Sequence, residues 1–243
     1  MARAGPPPAS GGPFRARGEA ARRPAWRVRA HCRAPGAVER QRWLVRPAGY
    51  GELARVAELQ ASTFYGPDGE LIRDLGWVAA LGLGPLDAAA RRVLSDDILR
   101  GLRANARQLP EHDFRCLVAC PEDDPGEIAG AVDLSVAPQV ARDGVPGSLY
   151  LSSMAVAPER RRQGCAAALL RATEALARGS HSAGRARHAS LSLHVLVGNR
   201  AARACYEATG FAAGDDAQLL PSDPPLIGRL LPDQKRLLMT KSL

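Results

Sequence analysis

The 243-residue chain has no uninterrupted apolar run of the roughly 18 residues that a membrane-crossing helix requires. The nearest approach, Leu75–Ala90, is broken by glycines, Pro85 and Asp87. No helical membrane span and no membrane partner are expected. Cysteine is scarce: the five (Cys32, Cys116, Cys120, Cys165, Cys205) are odd in number, form no CxxC pair, and have no accompanying histidine pair. That excludes a disulfide framework and a zinc site, and no metal is expected. Cys165 and Cys205 lack a sequence-adjacent base, so neither reads as an activated nucleophile. Repeats are absent as well.

Acidic residues are nearly missing from the first 40 positions, where nine arginines face only Glu19 and Glu39. The remainder carries 24 basic and 23 acidic residues, so the formal charge of +8 belongs almost wholly to the tail. A near-neutral body lacks the broad positive face that binding a phosphate backbone needs, and no nucleic-acid partner is predicted. Residues 1–40 also show no sustained hydrophobic periodicity and cannot bury enough apolar surface to offset their ordering entropy. They match the Arg-rich, acid-poor bias of an organelle transit peptide, although Ser10 is their only serine, with Val28-Arg29-Ala30 as a candidate processing site. A disordered basic tail (1–40) followed by one domain (41–243) is the expected organisation.

Within that domain, Trp43-Leu44-Val45 reads as a short strand ending at Arg46-Pro47, and residues 50–64 have helical spacing. Residues 71–109 read as helical in two pieces, interrupted at Gly82-Leu83-Gly84-Pro85. Two strand-like runs, 114–120 and 128–136, flank a turn-rich link and suggest a hairpin; a third run, 149–156, stops at Pro158. Then follow a helix (166–177), a strand (191–197), a helix (200–208) with Gly210 at the C′ position, a loop-like stretch (213–234) and a last strand (236–243). This order predicts one α/β (α+β) domain with a mixed sheet.

Two segments carry chemistry. Residues 156–166 join a strand to a helix and hold Arg160, Arg161 and Arg162 just before the helix start. Cations are badly placed at the positive end of a helix dipole unless a polyanion docks there. First-turn amides can bind phosphate oxygens, arginines add charge-assisted bonds, Gly164 permits close approach, and Ala166 is small. A solvated basic turn is the plainer reading of these residues alone. In the second segment, Asn199 and Tyr206 are seven apart and share one helix face, separated by roughly 10 Å, so one elongated ligand can meet both. Asn199 also suits a helix N-cap. His194, between Leu193 and Val195, points to the opposite strand face.

The first segment resembles the phosphate loop of the GNAT superfamily of N-acetyltransferases, V-x-P-x-x-R-x-x-G-x-G/A, at Val156, Pro158, Arg161, Gly164 and Ala166. The second is similar to that superfamily's L-H-V-x-x-x-N-x-x-A-x-x-x-Y-x-x-x-G-F, from Leu193 to Phe211. The resemblance implies the GNAT fold: a central, mostly antiparallel twisted sheet flanked by helices and splayed where acetyl-CoA binds. It implies acetyl-CoA as cosubstrate, its diphosphate held by Arg161, Arg162, Gln163, Gly164, Cys165 and Ala166. Its pantetheine would lie along Met154, Ala155 and Val156, with Asn199 and Tyr206 also in contact. Tyr206 would protonate the departing thiolate, and His194 or a water would accept the amine proton. The segment Tyr150–Val156 has no carboxylate to serve as a direct glutamate base. The looser likeness over Trp43–Leu243 is to plastid enzymes of green plants and algae that acetylate protein N-termini and lysines. Protein or peptide amines are therefore the expected substrates, and the chloroplast stroma the expected compartment, with the mitochondrion second. A small-molecule amine acetyltransferase and a non-catalytic acetyl-CoA-binding module are the alternatives.

Overall fold

A computed structural model describes residues 28–30, 41–65, 84–107, 115–135, 148–179, 188, 190–220 and 234–243. The strands are β1 (Val28–Ala30), β2 (Trp43–Pro47), β3 (Arg115–Pro121), β4 (Gly130–Ser135), β5 (Ser148–Val156), β6 (Ser190–Leu196), β7 (Ala212–Leu220) and β8 (Gln234–Ser242). The helices are α1 (Leu53–Tyr65), α2 (Gly84–Arg107), α3 (Cys165–Gly179) and α4 (Arg200–Ala208). One sheet runs in the order β1-β2-β3-β4-β5-β6-β8-β7. All its pairings are antiparallel except β5 with β6. A parallel pair needs a crossover, and α3 supplies it. This is the mixed, mostly antiparallel sheet that the resemblance implies.

Each face of the sheet carries its own apolar layer. On one face, α3 buries Cys165, Ala168, Leu169, Ala172 and Thr173 at helical spacing. They meet Trp43, Val45, Leu117, Val132, Leu134, Leu151 and Leu193. Truncating the fully buried Leu169 to Ala would cost about 2–5 kcal/mol. On the other face, Leu53, Val56 and Ala57 of α1 and Leu102 of α2 cover Cys116, Val118, Cys120 and Ala131. Two close-packed layers leave little room at Gly130 of β4. A Cβ there would stand 2.7 Å from Cys165 Sγ and 3.2 Å from the Ala155 carbonyl oxygen, so only glycine lets α3 sit this near the sheet.

The structure departs from the sequence reading in three places. Residues 213–220 are strand, not loop: β7 pairs with β8 across a register shift between Ala213 and Ala217. Gly214-Asp215-Asp216 has turn composition but is spent on that bulge. The second helical piece begins at Gly84, with Pro85 in its first turn, where no intrahelical N–H bond is needed. The first piece falls on residues outside those described. Within the basic tail, Val28–Ala30 pair with Trp43–Val45 as an edge strand, and the rest of the tail lies outside the described residues.

Candidate active site

β5 and β6 pair only from Ser148↔Ser190 to Leu151↔Leu193. β5 then follows β4 as far as Val156, while β6 follows β8 as far as Leu196. Past Leu151 and Leu193 each strand keeps one neighbour and turns its other edge to a wedge. Backbone N–H and C=O groups along that edge can bond a ligand lying there. β5 also bulges at this point: Ala131↔Ala155 and Asp133↔Ser152 take three steps in β5 against two in β4. Ser153 takes the strain with φ +50°, a left-handed conformation that costs a side-chain-bearing residue about 1–2 kcal/mol.

From the wedge, β5 runs into a short 3-10 turn, Pro158–Arg160. Arg160 is fastened there, donating from Nε and Nη2 to Glu127 Oε1 (2.7 Å) and Oε2 (2.6 Å). Arg161, Arg162 and Gln163 remain exposed. Arg162 (φ +64°) and Gly164 (φ +87°) are both left-handed, a twist that gathers successive N–H groups into an anion-binding concavity. Trp43 Nε1 donates to the Gln163 carbonyl at 2.9 Å, and Gln163 Nε2 donates to the Glu159 carbonyl at 2.8 Å, which fixes the loop from both sides. α3 starts at Cys165, and the Ala168 amide donates to the Gly164 carbonyl at 3.0 Å. The preceding first-turn amides have no intrahelical acceptor. The nearest atom to a hypothetical Cβ at Gly164 is 3.9 Å away, so backbone angle, not crowding, demands glycine there. An open turn with converging amides at a helix start fits the diphosphate of coenzyme A. Cys165 is not reactive: burial above all pushes its thiol up to about 12. Burial likewise raises Cys205.

On the other side of the wedge, β6 leads into α4. Asn199 caps that helix, its Oδ1 accepting from the Ala202 amide at 2.8 Å. At the far end the Phe211 and Gly210 amides donate to the Tyr206 and Glu207 carbonyls, both at 3.0 Å. With Gly210 at φ +91°, this is the helix stop read from the sequence. It brings the Phe211 ring against Tyr206, centroids 5.9 Å apart and planes at 59°. Tyr206 is 7% exposed and shares the buried cluster with Leu193 and Val195. Its helix is thus capped at both ends.

His194 projects from β6 to the face opposite Leu193 and Val195. Its Nδ1 lies 3.0 Å from the Tyr150 hydroxyl, with the rings 5.7 Å apart. In the tautomer whose Nδ1–H donates to that hydroxyl, Nε2 carries the lone pair and can accept a proton. The pairings Asp133↔Ser152 and Ser135↔Tyr150 put Ser152 and Tyr150 on this same face, which α1 covers. Met154–Val156 and Arg161–Ala166 thus follow one another on the β5 side of the wedge. On the β6 side His194 stands on the α1 face, Tyr206 packs with Leu193 and Val195 on the opposite face, and Asn199 caps α4 between them in sequence. Trp43, Glu127 and Tyr150 were not singled out in the sequence. Their partners lie 120, 33 and 44 residues away, and no local pattern signals them.

The sequence profile described as the acetyltransferase (GNAT) family matches residues 89–211, half of the chain. The chain belongs to that family and is an acetyl-CoA-dependent N-acetyltransferase. Solved structures with the same fold include ribosomal-protein-alanine N-acetyltransferase from Brucella melitensis, at 20% identity and TM-score 0.54, covering 82% of this chain and 99% of that one. A GNAT acetyltransferase from Staphylococcus aureus superposes with TM-score 0.50 at 13% identity, covering 83% and 99%. Spermidine N-acetyltransferase from Vibrio cholerae, solved with CoA and spermine, gives TM-score 0.49 at 16% identity, covering 82% and 95%. No curated protein matches the sequence.

Proposed function

We propose that the enzyme acetylates protein amines, N-terminal α-amino groups or lysine side chains, by direct attack in a ternary complex, and that it works in the plastid stroma. The observation that carries the choice of acceptor is the face of the wedge under α1. There Tyr150, Ser152, Ser153 and His194 supply hydroxyls and an imidazole. Among the described residues of β5 and β6 on that face, no exposed carboxylate accompanies them. A polyamine needs anionic partners along its length, whereas a peptide offers a single reacting amine on a neutral backbone.

Acetyl-CoA supplies an acyl group activated as a thioester. Arg161, Arg162 and the amides from Arg161 to Ala166 hold its diphosphate. The β5 edge at Met154–Val156 lies along its pantetheine arm, and a backbone N–H of that edge stabilises the developing oxyanion. Asn199 contacts the cofactor from the α4 side. His194, oriented by Tyr150, accepts the proton that the attacking amine releases. Tyr206 gives a proton to the departing sulfur, since a thiol of pKa about 8.5 leaves poorly as a free thiolate. An α-amine with pKa about 8 loses its proton more readily than a lysine at about 10.4, which makes protein N-termini the easier acceptors.

Mass spectrometry of a peptide library, run against spermidine and a panel of free amines, tests the acceptor. Peptide acetylation should dominate; a free amine turned over faster than every peptide would overturn the assignment. For the compartment, a fluorescent reporter carrying residues 1–40 should enter plastids, and diffuse cytosolic signal would reject import.

A further inference from the structure

Gln60 of α1 lies under the bulge of β5 and is 1% exposed. Its Nε2 donates at once to Asp133 Oδ2, at 2.9 Å, and to the backbone carbonyl of Ser153, at 3.2 Å. Both partners are acceptors, which assigns the amino group of the amide to this side. Asp133 is 4% exposed, on β4 directly opposite Ser152. Burial raises its pKa to about 6, against the pull of hydrogen bonding to Gln60, Cys116 and Ser153. Two buried polar side chains, one of them ionisable, are a costly way to fill a core. Both meet at the left-handed Ser153: Gln60 donates to its backbone carbonyl, and the Asp133 carboxylate accepts from its side chain.

We propose that Gln60 and Asp133 form a clamp that sets the β5 bulge, and through it aims the strand edge that receives the thioester oxygen. Asp133 anchors the Gln60 amide, and Gln60 ties down the Ser153 carbonyl. The following peptide groups, Met154 to Val156, take their direction into the wedge from that tie. Gln60 and Asp133 are positioning residues that touch neither substrate. The inference rests on the acetyl-transfer reading for its kinetic half, while its structural half stands on the strand alone.

The test uses the full chain with Gln60→Met, which keeps the volume and deletes the amide. Amide hydrogen exchange of the segment 148–156 should rise about tenfold or more as the bulge opens. The kcat should fall about tenfold or more with KM for acetyl-CoA within about threefold, because misaimed groups fail in the transition state before they fail in binding. Asp133→Asn keeps an acceptor for Gln60 and should preserve both readouts, whereas Asp133→Leu should reproduce Gln60→Met. Unchanged exchange, unchanged kcat, or Asp133→Asn as damaging as Asp133→Leu would each overturn the clamp. Should Gln60→Met not fold, Gln60→Asn, one methylene too short to span both acceptors, carries the same readouts. A wild type that acetylates no amine would sink the functional reading instead, and the exchange measurement would still decide the clamp.

Discussion

The wall of the wedge proposed to hold the cofactor and the face proposed to receive the acceptor are assembled over very different distances along the chain. The cofactor wall is nearly contiguous: Met154 to Ala166 supply strand edge, turn and helix start in thirteen positions, and the turn is set by two left-handed residues two apart. The sheet face under α1 is composed from α1, β4, β5 and β6, through pairs such as the buried Gln60–Asp133 and Tyr150–His194 that lie 73 and 44 residues apart. Binding a polyanion needs clustered amides and charge, which a short segment can hold. Directing a proton and an oxyanion needs groups held from several sides, which only tertiary structure provides.

If that division is real, changes on the two sides will separate in kinetics. Tyr206→Phe, on the helix behind the wedge, should give the largest effect, lowering kcat by about 10²–10³ while acetyl-CoA affinity holds. Isothermal titration beside steady-state rates checks this, and unchanged turnover would remove Tyr206 from the mechanism. His194→Ala should lower kcat/KM for peptides by about 10² with a smaller loss for Tyr150→Phe, and the acid limb of the pH–rate profile should move in both. An unmoved limb would assign the proton to a water instead. Gly164→Val, in the turn, should act the opposite way, raising the acetyl-CoA Kd by about tenfold through a φ that valine resists, with kcat at saturation little changed.

A further contrast concerns stability. Burial raises Asp133 from its ordinary 3.8 to about 6, so the native state holds that proton more tightly than the unfolded chain. The sign follows: the group does not oppose folding below pH 3.8, and its opposition grows as pH rises towards 6, reaching about 3 kcal/mol at neutral pH. Asp133→Asn should therefore raise the melting temperature at pH 7.5, with the gain fading below pH 4. A gain that ignored pH would refute a buried charge as its source. Least of all, Arg162→Ala should weaken acetyl-CoA binding a fewfold in a salt-dependent way. Arg160→Ala should instead lower stability, since its guanidinium is already held by Glu127. Equal affinity losses from the two would show that Glu127 does not reserve Arg160.

The same division explains what could be read beforehand. α4, its Asn199 cap and its Gly210 stop are local devices, and they fall at the positions the residues indicate. The strand, turn and helix start from Val156 to Ala166 are legible for the same reason. β7 was hidden because its bulge borrows turn residues and its order comes from β8. Glu127 was hidden because nothing near it marks which of three consecutive arginines it will take. Asp133, in the middle of an apolar strand run, gives no sign of Gln60 until α1 crosses β4.

Gly130 has a consequence of its own. Where every other position of β4 puts a side chain against a neighbour, this one contributes only a gap, and three things crowd into it: the Cys165 thiol at the head of α3, the Ala155 carbonyl of β5, and Leu169. It therefore works as a spacer of zero thickness between the start of α3 and the β5 edge, the two elements proposed to hold one extended ligand. A methyl group at this point would alter no other residue of the sequence, yet force Cys165 and the Ala155 carbonyl to shift and so change the gauge of the slot between them.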